Sequence, residues 1–585
     1  MSAAGDGASG VGSDKKSALF PRGVSLGQLA NADILLAQAA RRATHVRHFY
    51  GALKNPEAAQ LSKLMQIVRA NEQAAFGVNH NFDKIHSYKD YCRYVPASGY
   101  EGFEPYIDRL RAGAKKQLTL EDPFMFATTS GTTDRPKFVP ITRAHLRDYT
   151  HAFQLHNYHM IKDFPRAALG KFLIMASNDQ EGVTECGLPY GAVSGLLNRR
   201  QAPIIKRHFA VPSEISQIKD VEAKYYTLLR IAMTSHVTAI MACNPSSLLL
   251  LADKMADRAE ELIRDITDGG INSGIAARLP DGLAQALAPH LKQDRDQGRR
   301  LSALLASHGR LNPNQVWPDL GVLSCWKGGP MAFYLDKTPE FFGSVQVRDF
   351  GYMASEGRGS IPISDRGAAG PLALTSHFFE FVAEDDIDKA SPQFKMLHEL
   401  ESGRRYFVFF TTNAGLYRYN INDLIEVESF LDATPVIKFV RKGGGISSIT
   451  GEKITEEQVL GAFNQAVIRS DLCSIKHFTL EVELSLPPHY VLFLELEQGT
   501  AAATLERFAA IFDACLKEQN PEYLDKRDSG RLSQPRVRSL PPGTYQRLRQ
   551  QRVAEGAPEA QVKIPLLSPQ GVFAGRLSLI DGVRP

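Results

Sequence analysis

Tryptophan is nearly absent from this 585-residue chain, which holds 2, and cysteine is scarce, with 6. Cys92, Cys186, Cys243, Cys325, Cys473 and Cys515 lie far apart and form no C-x-x-C pair. That spacing fits reduced thiols and a cytoplasmic protein. Cys186 has no activating partner in its neighbourhood, which argues against a thioester intermediate. Long apolar runs are missing as well. Leu248 to Ala252 falls far short of the ~18–20 residues that cross a bilayer, so no membrane association is expected. Nor is there an excess of one charge: 68 basic against 64 acidic residues leave +4, which argues against a dedicated nucleic-acid binder. The basic cluster Lys292 to Arg300 is interrupted by Asp294 and Asp296 and reads as a solvated helix face. No internal repeat and no G-x-x-x-x-G-K-[ST] loop occurs. Met1 to Lys16 is rich in Gly, Ala and Ser without a signal core, and a disordered tail is expected over 1–20.

What the chain does have is a loop of small hydroxyl residues, Thr128-Thr129-Ser130-Gly131-Thr132-Thr133-Asp134-Arg135-Pro136-Lys137, between the apolar segments Phe124 to Phe126 and Phe138-Val139. Backbone N–H groups and hydroxyls can surround anionic oxygens there, and Lys137 adds a mobile positive charge. A Thr/Ser-rich surface turn has the same composition. Two later segments favour the phosphate reading. Asp349-Phe350-Gly351-Tyr352-Met353-Ala354-Ser355-Glu356-Gly357 follows the expected strand Ser344 to Arg348, and Tyr417-Arg418-Tyr419-Asn420-Ile421-Asn422-Asp423 leads into Leu424 to Val427. Each sets an aromatic ring beside a carboxylate at a strand end. A ring can stack on a base, Glu356 can ligate a hard cation, and Asp423 can accept from two ribose hydroxyls. In this order the three segments describe an ATP site.

The same segments resemble the nucleotide motifs of the acyl-adenylate-forming superfamily, and within it the auxin-responsive Gretchen Hagen Three family of acyl-acid amido synthetases. Ala75-Phe76-Gly77 through Tyr88, Val95-Pro96 through Ile107, Val316-Trp317-Pro318, Trp326-Lys327-Gly328-Gly329 and Pro535 through Pro565 extend the likeness over most of residues 60–570. The resemblance implies a mixed α/β, acyl-adenylate-forming fold. It has a large N-terminal domain of sheets with flanking helices and a distorted β-barrel, and a small mobile C-terminal α/β domain. It further implies that ATP and Mg²⁺ serve to adenylate a small-molecule carboxylic acid, whose acyl group passes to an amine, namely an amino acid. Transfer to CoA or an alcohol, or adenylate binding without catalysis, stays open. No obligatory protein partner is implied. By the same likeness Thr129, Ser130, Gly131, Thr132, Thr133 and Lys137 would hold phosphates and Glu356 the metal. Ser355, Tyr417 and Asp423 would line the nucleoside, with Gly328, Gly329 and Tyr352 around adenine. Lys563, in Gln561-Val562-Lys563-Ile564-Pro565, would be the electrostatic catalyst. The chain departs from the pattern at Asp134 and Asn422, where glycine is usual, and at Leu566, where plant members carry arginine.

Hydrophobic periodicity predicts a helical region over Leu26 to Val68, buried strands at Phe172 to Met175, Val237 to Met241 and Gly321 to Ser324, and a long helical stretch opened by Asn244-Pro245. Phe378 to Val382, Tyr406 to Phe410, Leu424 to Val427 and Val436 to Val440 read as strands of a barrel-like sheet. Arg441-Lys442-Gly443-Gly444-Gly445 then interrupts it, as a hinge or as a tight turn. The expected organisation is therefore a domain over 21–440, a hinge at 441–446 and a small domain over 447–585. His156 and His159 share a helical face without further metal ligands nearby; they, and Trp326, are candidates for lining an acyl pocket.

Overall fold

The computed structural model describes residues 32–129, 137–328, 331–443, 445–470, 472, 475–496, 501–554 and 565–578. Its N-terminal region is helical as expected, with one break at Asn55. Helix α1 (Ala32–Arg41) runs through a π-helical segment, Arg42–Val46, into α2 (Arg47–Lys54), and α3 (Pro56–Ala70) follows. The break is chemical: Pro56 cannot donate to the preceding turn, and Asn55 caps the new helix by accepting from Ala58 N.

Strands β1 (Met125–Thr129) and β2 (Lys137–Ile141) pair antiparallel, with Thr129 opposite Lys137. Thr142 then accepts from His145 N and starts α4 (Arg143–Asp163). Four strands, β3 (Lys171–Met175), β4 (Val237–Ala242), β5 (Val322–Cys325) and β6 (Gln346–Asp349), form a parallel sheet in chain order. Between β3 and β4 lies α5 (Val193–Arg199). The stretch capped by Asn244 is two helices, Pro245–Asp257 and Ala259–Asp268, parted at Arg258, whose guanidinium pairs with Glu222 and Glu261. Every residue of β4 and β5 is buried, as expected of parallel strands covered on both faces.

Beyond the parallel sheet, β7 (Met353–Ala354) and β8 (Gly357–Arg358) form a hairpin. Strands β9 (Phe378–Ala383), β10 (Arg405–Thr411), β11 (Tyr419–Leu431) and β12 (Thr434–Lys442) follow in an antiparallel sheet whose far edge is Gly370–Pro371. Register shifts between Phe407 and Phe409, Leu424 and Ile425, and Val427 and Ser429 bend it, and it has two edges rather than a closed barrel wall. The C-terminal part builds its own core. Helix α6 (Glu456–Arg469), with the capping box Thr455/Gln458, and α7 (Ala502–Gln519) cover a sheet of β13 (Ile475–Glu483), β14 (His489–Leu496) and β15 (Arg536–Leu540).

Candidate active site

Lys137, from the first motif, and the second and third motifs meet at the C-terminal edge of the parallel sheet, where open α/β sheets place their ligands. Asp349, the last residue of β6, fixes the turn there: its carboxylate accepts from Gly351 N and Lys327 N, each at 2.5 Å. Burial raises the Asp349 pKa to about 6, against the pull of those two hydrogen bonds. The turn delivers Tyr352, whose hydroxyl donates to Asp423 Oδ2 at 2.7 Å. Lys442 forms an ion pair with the other carboxylate oxygen of Asp423, a residue only 2 % exposed. Burial first, then the Asp423 charge, drives the Tyr352 pKa far above its ordinary value, so its proton stays in place as a donor.

Ser355 and Glu356 form the tip of the β7–β8 hairpin. Glu356 is buried and accepts from the Tyr419 hydroxyl at 3.3 Å. The Lys137 ammonium lies 5.4 Å from the centre of the Tyr100 ring. Burial lowers its pKa, with the Glu356 carboxylate opposing and Lys442 and Lys453 adding repulsion. For Lys453 burial also pulls down, but Glu522, Glu356 and Asp423 outweigh it and the pKa is raised. Lys137, Lys442 and Lys453 thus gather among the carboxylates Glu101, Glu356, Asp423 and Glu522. Glu356 is the carboxylate free to ligate a divalent cation; no cluster of three metal-ligating side chains occurs among the described residues.

Gly328 leaves room beside Tyr352: a Cβ there would stand 3.3 Å from Ala368 Cβ and 3.7 Å from the carbonyl of Phe439, whose ring stacks on Tyr352 at 5.9 Å. Asn422, where glycine is usual, adopts the left-handed conformation at φ 59°. Asparagine tolerates that region better than other side chains, so the departure keeps the turn that aims Asp423.

One expectation is corrected. Tyr417 does not face the site: it is fully buried, stacks on Phe76 at 4.7 Å and donates to Leu118 O at 2.7 Å. Arg418, at φ 48° and bound to Glu380, breaks the alternation, and Tyr419 is the aromatic that reaches Glu356. Tyr419, Lys442 and Lys453 were the residues sequence reasoning passed over. Lys442 and Lys453 flank the glycine run, a position that signals little by itself. Ser130, Gly131, Thr132, Thr133, Gly329 and Lys563 lie outside the described residues, as does the side chain of Thr129.

Next to the hairpin is an apolar cavity of about 170 Å³, walled by Phe153, Phe172, Met241, Cys243, Phe350 and Met353. His156 and His159 do not line it. His156 is stacked on Phe350 and meets Ser324 Oγ at 3.2 Å; burial, then nearby Arg358 and Arg348, keeps it neutral. Trp326 is likewise structural, donating to Gly351 O at 3.2 Å.

Comparison with known proteins identifies the family. Models of the "GH3 family N-terminal domain", "central domain" and "C-terminal domain" match residues 45–347, 370–442 and 457–571. The chain is 25 % identical to "Indole-3-acetic acid-amido synthetase GH3.8" of Oryza sativa subsp. indica, over 87 % of this chain and 88 % of that protein. It is 23 % identical to "Jasmonoyl--L-amino acid synthetase GH3.5" of Oryza sativa subsp. japonica, over 87 % and 92 %. The solved structure titled "GH3.15 acyl acid amido synthetase" superposes with a TM-score of 0.62 at 20 % identity, covering 91 % of this chain and 95 % of that one.

Proposed function

The chain belongs to the GH3 family, and from that membership and the geometry of its site we propose that it is an ATP-dependent acid–amido synthetase. The observation that carries the reading is the meeting of Tyr352, Asp423, Glu356, Lys137 and Lys453 beside an apolar cavity. A carboxylate is a poor acyl donor because its oxygen leaves badly. In the first half-reaction a carboxylate oxygen of the acid attacks the α-phosphorus of ATP, and the bond to pyrophosphate breaks. In the second the amine of an amino acid attacks the acyl carbon, AMP departs with the bonding electrons, and the nitrogen loses a proton.

In this reading Asp423 holds the ribose, and Tyr352 with Gly328 and Gly329 brackets adenine. Thr129 to Thr133 and Lys137 bind phosphates, and Ser355 lines the nucleoside. Glu356 would hold Mg²⁺, which supplies charge neutralisation along the phosphates. Lys453 and Lys563 would stabilise negative charge as it spreads during transfer. The large unit spans 21–440, the glycine run over 441–446 is the hinge, and residues from 447 onward move. The unpaired thiols of Cys92, Cys186, Cys243, Cys325 and Cys515 support a cytoplasmic setting; among the described residues no helix is long and apolar enough to cross a membrane.

The test is an acid library assayed for pyrophosphate release, with and without pooled amino acids. The expected product is an amide with AMP formed in equal amount. Turnover raised only by CoA or an alcohol replaces the acceptor, and nucleotide binding without AMP from any acid replaces the enzyme with a binding protein.

A further inference from the structure

Arg358, the last residue of β8, carries a charge without a counter-charge. It is 0 % exposed. Its Nη2 donates to Phe350 O, its Nη1 lies 3.6 Å from Met353 Sδ, and its Nε has no partner. Among the described residues it forms no ion pair. Asp349, the carboxylate that acts on it, already accepts from Gly351 N and Lys327 N. Other buried arginines are held more fully: Arg348 by Asp163 and Asp365, Arg418 by Glu380, and Arg230 by the carbonyls of Gly270 and Lys292. A desolvated cation left unpaired is costly, so its retention calls for a reason.

Its surroundings supply one. The guanidinium carbon stands 4.5 Å from the centre of the Phe153 ring, a cation–π contact that offsets part of the cost. Phe153, Phe350 and Met353, the three residues it touches, all wall the apolar cavity, which Arg358 itself does not line. Its charge therefore sits one side-chain layer behind that wall. An atom resting on the far face of the Phe153 ring, at an ordinary ~3.5–4.0 Å contact, would be roughly 8 Å from the guanidinium. The same wall runs into the β7–β8 hairpin: Met353 opens it, Ala354 O accepts from the Tyr149 hydroxyl at 3.0 Å, and Glu356 is at its tip. An anion drawn to this wall thus lies at the hairpin end. Arg41, another cation at the cavity, is only half-buried and lies on α1.

Building on the adenylating reading above, we propose that Arg358 is a positioning residue for the acid. From behind the Phe153–Phe350–Met353 wall its charge holds the carboxylate at the hairpin end, and it selects ionised acids over neutral molecules of the same shape. The carboxylate loses its charge as its oxygen bonds to the α-phosphorus. Arg358 therefore favours the bound acid more than the steps that follow, and its signature is in KM rather than kcat.

Three matched pairs test this: benzoate with benzamide, phenylacetate with phenylacetamide, and hexanoate with hexanamide. Binding to the full chain is measured by calorimetry without ATP, and acid turnover by pyrophosphate release. In at least one pair the acid is expected to bind about tenfold more tightly than the amide, the order of effect of a unit charge at roughly 8 Å and an effective dielectric constant of about 20. Arg358→Met is expected to erase that ratio by weakening the acid alone, and to raise KM for the acid while kcat holds or rises. Arg358→Lys is expected to keep part of the ratio. No preference for the acid in any pair of the wild-type protein, or no binding of any acid, overturns the inference, whether or not the variants fold. So does an equal loss for acid and amide in Arg358→Met, which is the result of a purely structural role, and so does a fall in kcat at unchanged KM. Loss of the ratio in Arg41→Met but not in Arg358→Met overturns it too. Selective acid binding without pyrophosphate from any acid sinks the ligase reading and leaves the charge selection standing.

Discussion

Tyr352 and Asp423, 71 residues apart in the chain, meet in a 2.7 Å hydrogen bond with the phenol as donor. The bond ties the turn after the parallel sheet to the antiparallel sheet, so two motifs become one surface. Lys442 takes the other carboxylate oxygen from the end of β12. A carboxylate offers about four lone-pair positions. Two are used by the protein, and in the proposed site the other two would accept from the hydroxyls of a ribose.

Asp423→Ala removes that acceptor and leaves Lys442 unpaired, while Glu356→Ala removes the metal ligand. Hydrogen bonds to a charged group contribute about 1.5–3 kcal/mol, or roughly 10- to 100-fold. Acid-dependent ATP–pyrophosphate exchange is expected to fall at least that far in each variant, with the folded state retained by circular dichroism. Exchange near wild type in both, at equal ATP, would sink the nucleotide site.

Asn422 offers a conformational test. At φ 59° it sits where most side chains are strained by about 1–2 kcal/mol. Asn422→Gly is expected to keep both exchange and melting temperature close to wild type. Asn422→Val, branched at Cβ, is expected to lower the melting temperature and to weaken ATP binding by displacing Asp423. Equal behaviour of the two variants would show that the turn does not aim the carboxylate.

How far these features were legible in the sequence depends on whether the signal was local. Buried strands such as Val237–Ala242 announce themselves because parallel strands need apolar residues on both faces. Asp423 and Glu356 were readable because each sits within its own motif. Tyr417 and Tyr419 were not separable in that way, since a left-handed Arg418 decides which ring turns inward, and that conformation is held by Glu380, 38 residues away. The helical reading before Val68 holds over 32–70, and the one break in it has a local cause, Asn55-Pro56.

Asp349 predicts a pH effect. Burial raises its pKa to about 6 in the folded protein, against an ordinary 3.8. Between those values the native state binds more protons than the unfolded chain, so stability falls as pH rises from about 4 to about 6. The shift corresponds to about 3 kcal/mol at most. Asp349→Asn is expected to lose this decline while still accepting one backbone hydrogen bond. Chemical denaturation of both proteins at pH 4, 5, 6 and 7 measures the difference (about two pH units are spanned); parallel curves would show that Asp349 does not titrate there.

The glycine run and the lysines beyond it predict separable defects. Gly445 is left-handed at φ 79°, and a Cβ on Gly443 would lie 1.9 Å from Asn422 Oδ1, so this backbone accepts little but glycine. Lys453, just past the run, stands near Glu356 and Asp423 in this arrangement. If the C-terminal unit turns between half-reactions, Lys453 serves the one that this arrangement represents, and Lys453→Ala slows that one alone. Lys563→Ala is expected to slow adenylate formation by about 2–4 kcal/mol of lost charge stabilisation, and to be gentler on transfer from a supplied acyl-adenylate. Gly444→Pro fixes φ, and is expected to spare ATP binding and the first turnover while slowing passage to the second half-reaction. Single-turnover measurements of each half-reaction distinguish these outcomes. Normal adenylation by Lys563→Ala removes that lysine from the chemistry. Equal slowing of both steps by Lys453→Ala removes the two-arrangement mechanism, and wild-type behaviour of Gly444→Pro in both reduces the glycine run to a turn.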